Sequence, residues 1–85
     1  MSSGNLFKSI KTYTVTNDTV GITLTGSGLA TPFDGDNGVL VIDGETKSVH
    51  TRSGNLNPVL FEKSCIIKTN GTDGYSIIVS VGLFN

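Results

Sequence analysis

Residues 75–83, YSIIVSVGL, form the longest stretch of this chain in which a large apolar residue occupies every second position. Successive side chains of a β-strand point to opposite faces, so this spacing predicts a strand with one continuous apolar face. The intervening positions hold Ser76, Ile78, Ser80 and Gly82. The segment therefore predicts a strand that covers a core with one face and is less apolar on the other.

Two more segments have the same period of two. Residues 7–16 predict a strand with Tyr13 and Val15 facing inward and threonines facing outward, because the β-branched threonine side chain fits a solvated pleat. Residues 20–25 place Val20, Ile22 and Leu24 on one face of a shorter strand. The pattern thus predicts two strands, over residues 7–16 and 20–25.

Turn residues predict two hairpins. Residues 39–42, VLVI, form a continuous apolar run that indicates a strand covered on both faces. Asp43-Gly44 follows, and this dipeptide favours a two-residue hairpin turn into residues 45–51 because both central residues need positive φ. A second hairpin is expected where residues 64–69 turn through the glycine-rich segment 70–74 into the last strand.

Glycine-rich and asparagine-rich segments separate these strands, at residues 26–28, 34–38 and 53–58. No apolar repeat with helical spacing and no dividing linker is present in the sequence. We therefore expect an all-β fold: a single β domain over residues 1–85, built as a small antiparallel sandwich or barrel of about six short strands.

Composition excludes several classes of function. The chain has 85 residues, of which only 15% are charged, with six Lys or Arg against seven Asp or Glu, so a nucleic-acid partner is not expected. The longest apolar run, residues 39–42, is too short for a membrane-spanning helix, so no membrane partner is expected. Cys65 is the only cysteine, and the first residues lack the pattern of a signal peptide. These features predict synthesis in the cytosol.

Few residues suggest chemistry. Cys65 and His50 are the only possible Cys–His pair, and we expect a core cysteine and a surface histidine rather than a catalytic dyad. The segment Asp34 to Gly38 has the closely spaced oxygens of a calcium-binding turn, but the same residues also cap their own backbone in ordinary turns. We expect no catalytic residue, no cofactor and no metal ligand, and hence no enzyme.

Apolar residues near both ends of the sequence suggest an interface. Chain ends are usually polar, whereas here five apolar residues lie within a few positions of them: Leu6, Phe7, Ile10, Leu83 and Phe84. They are either interface residues or parts of ordinary outer strands. An 85-residue domain without disulfides also has a small core, and such domains often gain stability by oligomerising.

These observations predict a small structural or assembly protein that acts through protein–protein contacts. Its most concrete form is a virion-associated, phage-like subunit, such as a capsid decoration or cement protein, that contacts copies of itself and a larger assembly such as a capsid. The alternatives are a monomeric β binding module or inhibitor that uses loops 26–38 and 53–58, and a tail or connector subunit of a phage particle.

Overall fold

A computed structural model describes residues 6–35, 38–49, 57–71 and 76–85 of the chain. These residues form eight β-strands and no helix. The strands are β1 Phe7–Thr16, β2 Ile22–Thr25, β3 Gly28–Gly35, β4 Gly38–Ile42, β5 Glu45–Val49, β6 Val59–Phe61, β7 Ser64–Thr69 and β8 Ser76–Phe84.

The strands form two antiparallel four-stranded sheets. The first sheet has the order β1-β8-β3-β6, and the second has the order β2-β7-β4-β5. The first strand pairs with the last, the second with the second to last, and so on inward: β1 pairs with β8, β2 with β7, β3 with β6 and β4 with β5. This is the topology of a jelly roll, in which a folded ribbon of paired strands closes over one core.

The all-β class and the antiparallel pairing are confirmed, the barrel alternative to a sandwich is excluded, and the expected number of strands is wrong. The described residues contain eight strands rather than six, and they form two sheets rather than a closed barrel. The two strands that the sequence analysis missed are β3 and β6, which pair with each other through residues 28–30 and 59–61. β6 has only three residues, too few to display an alternation.

Pro32 made β3 look like a loop, because proline cannot donate a hydrogen bond within a sheet. The register of β3 against its neighbours makes the proline acceptable. The N–H of Phe84 donates to Ser27 O at 2.9 Å, and antiparallel bonding alternates, so the nitrogen of Pro32 faces away from β8. On that other side, the pairing with β6 has already ended at Ala30. The absence of an N–H group at Pro32 therefore removes no hydrogen bond between β3 and its neighbouring strands.

The second predicted hairpin is wrong, although its strands exist. β7 lies in the second sheet and β8 in the first, so the segment between them crosses from one sheet to the other. The Asp43-Gly44 hairpin is confirmed: both residues have positive φ, 52° and 88°, and β4 pairs directly with β5. The expectation that residues 39–42 are covered on both faces is also wrong, because Val39 and Val41 are only partly buried.

The core lies between the two sheets. Its members come from the inward-facing positions of six strands, and each is at most 6% exposed: Val15, Ala30, Leu40, Ile42, Phe61, Cys65, Ile67, Ile77, Val79 and Val81. β8 supplies three of them with a period of two, as residues 75–83 predicted. Phe61 is the largest fully buried side chain, and it comes from the shortest strand.

Thr69 is the one buried polar residue among those described, and its hydrogen bonds fix the turn after β1. Its Oγ1 accepts from the backbone N–H of Asp18 at 2.9 Å, and its own N–H donates to Asp18 O at 2.8 Å. The Asp18 carboxylate in turn accepts from the N–H groups of Val20 and Gly21. Asp18 therefore has a set position just beyond the end of β1.

Asp43 joins two turns that are far apart in sequence. Its carboxylate accepts from three successive backbone N–H groups of the β6–β7 turn: Glu62 at 3.0 Å, Lys63 at 2.6 Å and Ser64 at 3.1 Å. These bonds, that from Glu62 above all, lower the pKa of Asp43 below its ordinary value of 3.8. The β4–β5 hairpin is thereby attached to the connection between the two sheets.

Replacing Phe61 tests whether the short strand β6 contributes to the stability of the core. We expect Phe61→Ala to lower the free energy of unfolding by about 3–5 kcal/mol, because it removes a fully buried ring from the core. The neighbouring Leu60→Ala is the matched control, because Leu60 is 56% exposed, and it should cost less than about 1 kcal/mol. Urea unfolding measures both, and equal losses would contradict this assignment of faces.

Asp43→Asn tests the carboxylate bridge through pH. Because the folded-state pKa is lowered, the ionised carboxylate stabilises the fold above pH 3.8, and this contribution disappears as the pH falls through the folded-state pKa. We expect a lower urea midpoint for Asp43→Asn at neutral pH and a difference from wild type that shrinks below pH 3.8. Glu45→Gln controls for the loss of one negative charge. A difference independent of pH would contradict the bridge.

Candidate functional site: an apolar sheet face

The strand register of the first sheet places apolar residues in a row across its outer face. Ile10 of β1 lies opposite Gly82 of β8, which lies opposite Leu29 of β3, which lies opposite Leu60 of β6. In β8, β3 and β6 the neighbours of these residues pack against the core, and in β1 the alternation with Tyr13 and Val15 places Ile10 on the opposite face, so the row faces outward. Ile10 is 67% exposed and Leu60 56% exposed, whereas Leu29 is partly buried.

A pair of stacked aromatic rings extends this row. The rings of Phe7 and Phe84 lie 5.3 Å apart between centroids and 15° from parallel. A Cβ atom at Gly82 would lie 2.6 Å from Cδ1 of Phe7, so the Phe7 ring sits directly on the glycine backbone. A β-bulge between Phe7 and Ser9 turns Phe7 to the same face as Ile10.

Together these residues form one surface, which we call the apolar face: Phe7, Ile10, Leu29, Leu60 and Phe84. It crosses all four strands of the first sheet, a width of about 14 Å at ordinary strand spacing. Contiguous exposed apolar surface on a small protein is typical of a protein interaction site, whereas isolated exposed apolar residues are common and uninformative.

Three of the five predicted interface residues lie on this face, namely Phe7, Ile10 and Phe84. Leu83 points to the opposite side of β8 and packs, partly buried, against the core. Leu6 is exposed, but the pairing of β1 begins at Phe7 and does not place Leu6 on this face. Leu29 and Leu60 were missed because the strands that carry them were missed. Even with those strands known, only the register of β8, β3 and β6 shows that the two leucines are neighbours.

The other candidate residues do not form a site in the described structure. Cys65 is fully buried in β7, and this burial raises the pKa of its thiol to about 11. His50 lies outside the described residues. Asp34 and Gly35 belong to β3 and Gly38 begins β4, while Asp36 and Asn37 lie outside the described residues. Within the described ranges, no group of three His, Cys, Asp or Glu residues could hold a metal ion.

No known protein family, curated protein or solved structure matches this chain. In the part of the chain that the structure describes, no helix is long and apolar enough to cross a membrane. The apolar face is therefore the feature from which a function is inferred.

Thiol labelling tests the position of Cys65. A thiol that is fully buried and has a pKa of about 11 is both inaccessible and protonated near pH 8. We expect Ellman's reagent to react with the native protein more than about a hundredfold more slowly than with the protein in denaturing urea. Comparable rates would contradict the assignment of Cys65 to the core.

Proposed function

We propose that this protein is a small structural subunit that binds a larger protein assembly through the apolar face. The most concrete form is a capsid decoration or cement protein of a phage-like virus particle. The observation that carries the proposal is the cross-strand row of Ile10, Leu29 and Leu60, because it places outward-facing apolar side chains on three of the four strands of one sheet.

The fold agrees with this proposal without carrying it. Jelly rolls occur in viral capsid proteins, and also in lectins and cupins, so the topology alone does not select a function. What favours a structural role is the pairing of this rigid scaffold with an apolar contact surface. The side chains on that surface are aliphatic or aromatic, and they offer packing rather than acid–base or nucleophilic chemistry.

The size of the apolar face favours repeated binding. Stable pairwise interfaces bury about 800 Å² on each partner. A patch that is about 14 Å wide contributes only part of that area, so a single contact is expected to be weak. Many copies bound to a regular lattice gain strength from avidity, which is how a decoration protein works.

The alternatives predict different behaviour. A monomeric module or inhibitor that binds through loops has less loop surface than the sequence suggested, because residues 28–35 form strand β3. A tail or connector subunit would use the same apolar face in a different part of the particle. Locating the protein within purified particles distinguishes these possibilities.

Leu60→Asp tests the proposal. Virus particles from the native source are separated on a density gradient, and mass spectrometry measures the amount of this protein relative to the major capsid protein. We expect a fixed ratio near that of a repeating lattice subunit. Particles stripped of the protein are then offered purified wild-type protein, Leu60→Asp or Val20→Asp.

We expect Leu60→Asp to bind at least about tenfold more weakly than wild type, because a carboxylate would have to be buried in an apolar contact. Val20→Asp is the matched control, since Val20 is 80% exposed and lies before β2, outside the apolar face. Absence of the protein from particles would contradict the proposed function. Equal binding of all three proteins would contradict the assignment of the apolar face.

A further inference from the structure

β1 is the longest edge strand of the described structure. It has ten residues and pairs only with β8 in the first sheet, whereas the other edge strands β2, β5 and β6 have four, five and three residues. An edge strand presents unpaired N–H and C=O groups to any strand that can lie beside it. A long edge of this kind is suited to pairing with a strand of another molecule.

The hydrogen bonds of β8 identify which residues of β1 face that edge. The N–H of Phe84 donates to the carbonyl oxygen of Ser27, the residue that precedes β3. The N–H of Asn85 donates to the carbonyl oxygen of Leu6, on the β1 side. Odd-numbered residues of β8 therefore bond toward β1, and their partners on β1 are Ser9, Lys11, Tyr13 and Val15. The backbone groups of the even-numbered residues, Ile10 to Thr16, point to the free edge.

The regular part of β1 has defined limits. It begins after the bulge between Phe7 and Ser9 and ends before Asn17, which has a positive φ of 47°. The residues that face the edge within it are Ile10, Thr12, Thr14 and Thr16. Their midpoint is Tyr13, so an antiparallel copy of the same strand overlaps fully in only one register.

We propose that a second copy of this chain pairs its β1 with this β1, antiparallel and centred on Tyr13, to form one continuous eight-stranded sheet. This pairing deepens the proposed function, which requires copies of the chain in one assembly. Thr12 then lies opposite Thr14 of the second copy, and Ile10 lies opposite Thr16. All four residues offer backbone groups at the edge, so the pairing adds about eight intermolecular hydrogen bonds.

Charge supports this register. β1 carries Lys8 and Lys11 and no acidic residue, and lysines on an edge strand usually discourage pairing. In the register centred on Tyr13, Lys11 lies opposite Val15 of the second copy. The bulge that carries Lys8 then lies at the same end of the pair as Asp18 of the second copy. Asp18 is held beyond the end of β1 by its bonds with Thr69, Val20 and Gly21. Each end of the pair thus carries a lysine from one copy and an aspartate from the other, and within the regular part of β1 no lysine lies opposite a lysine.

The pairing also brings the apolar faces of the two copies to the same side of the joint sheet. Residues directly opposite in an antiparallel sheet point to the same face, so the outer faces of both copies become one surface. The pair then presents two apolar faces toward one partner lattice. This supplies the second binding site that avidity requires.

A matched pair of variants tests the register. Thr12→Lys/Thr14→Lys would place lysine opposite lysine twice in the proposed pair, whereas Thr12→Lys/Thr14→Glu would place lysine opposite glutamate twice. Thr12 and Thr14 are exposed, so neither change affects the core. Thermal unfolding monitored by circular dichroism confirms that both variants fold. Sedimentation equilibrium over about a hundredfold range of concentration then gives each dissociation constant.

We expect wild type and the Lys/Glu variant to dimerise and the Lys/Lys variant to dissociate at least about tenfold more readily than the Lys/Glu variant. A monomeric wild type across the whole range would overturn the β1 pairing. So would a dimer equally stable in both variants, or one that both variants weaken alike. Binding of wild type to stripped particles, and its loss in Leu60→Asp, is measured separately, so the proposed function can survive the failure of this pairing.

Discussion

The pairing of the first strand with the last is the interaction on which the rest of the structure depends. β8 pairs with β1 along nearly its whole length and with β3 on its other side, and its inner face contributes Ile77, Val79 and Val81 to the core. Without β8 the first sheet would separate into β1 and the β3–β6 pair. Because its partners are distant in sequence, the loop-closure entropy has to be overcome before the core can form.

The same strand organises the outer surface. Gly82 lies in the centre of the apolar face, between Ile10 and Leu29, and its lack of a side chain makes room for the ring of Phe7. A larger residue there would displace Phe7 from its stack with Phe84. A single glycine in the central strand thus decides whether the surrounding apolar residues form one surface.

Local patterns predicted part of this structure, and the missing parts have physical causes. The alternation of residues 7–16 and 75–83 and the Asp43-Gly44 turn identified β1, β8 and the β4–β5 hairpin, because each signal lies within a few residues. Pro32 made β3 hard to predict, because proline is acceptable there only since its nitrogen faces away from β8 and the pairing with β6 ends at Ala30. The apolar face was partly predicted from Phe7, Ile10 and Phe84, but its leucines depend on register, which is a non-local property.

The antiparallel arrangement of β1 and β8 has a mechanical consequence. Leu6 and Asn85 are joined by a hydrogen bond at one end of this pair, so a force that pulls these two residues apart loads the β1–β8 bonds one after another. Sequential loading opens a ladder like a zipper and requires little force. A force that presses on the sheet faces instead acts on the packed core between them, which is nearly incompressible. The β1–β8 pairing therefore yields to a force that separates Leu6 and Asn85 more easily than the core yields to compression.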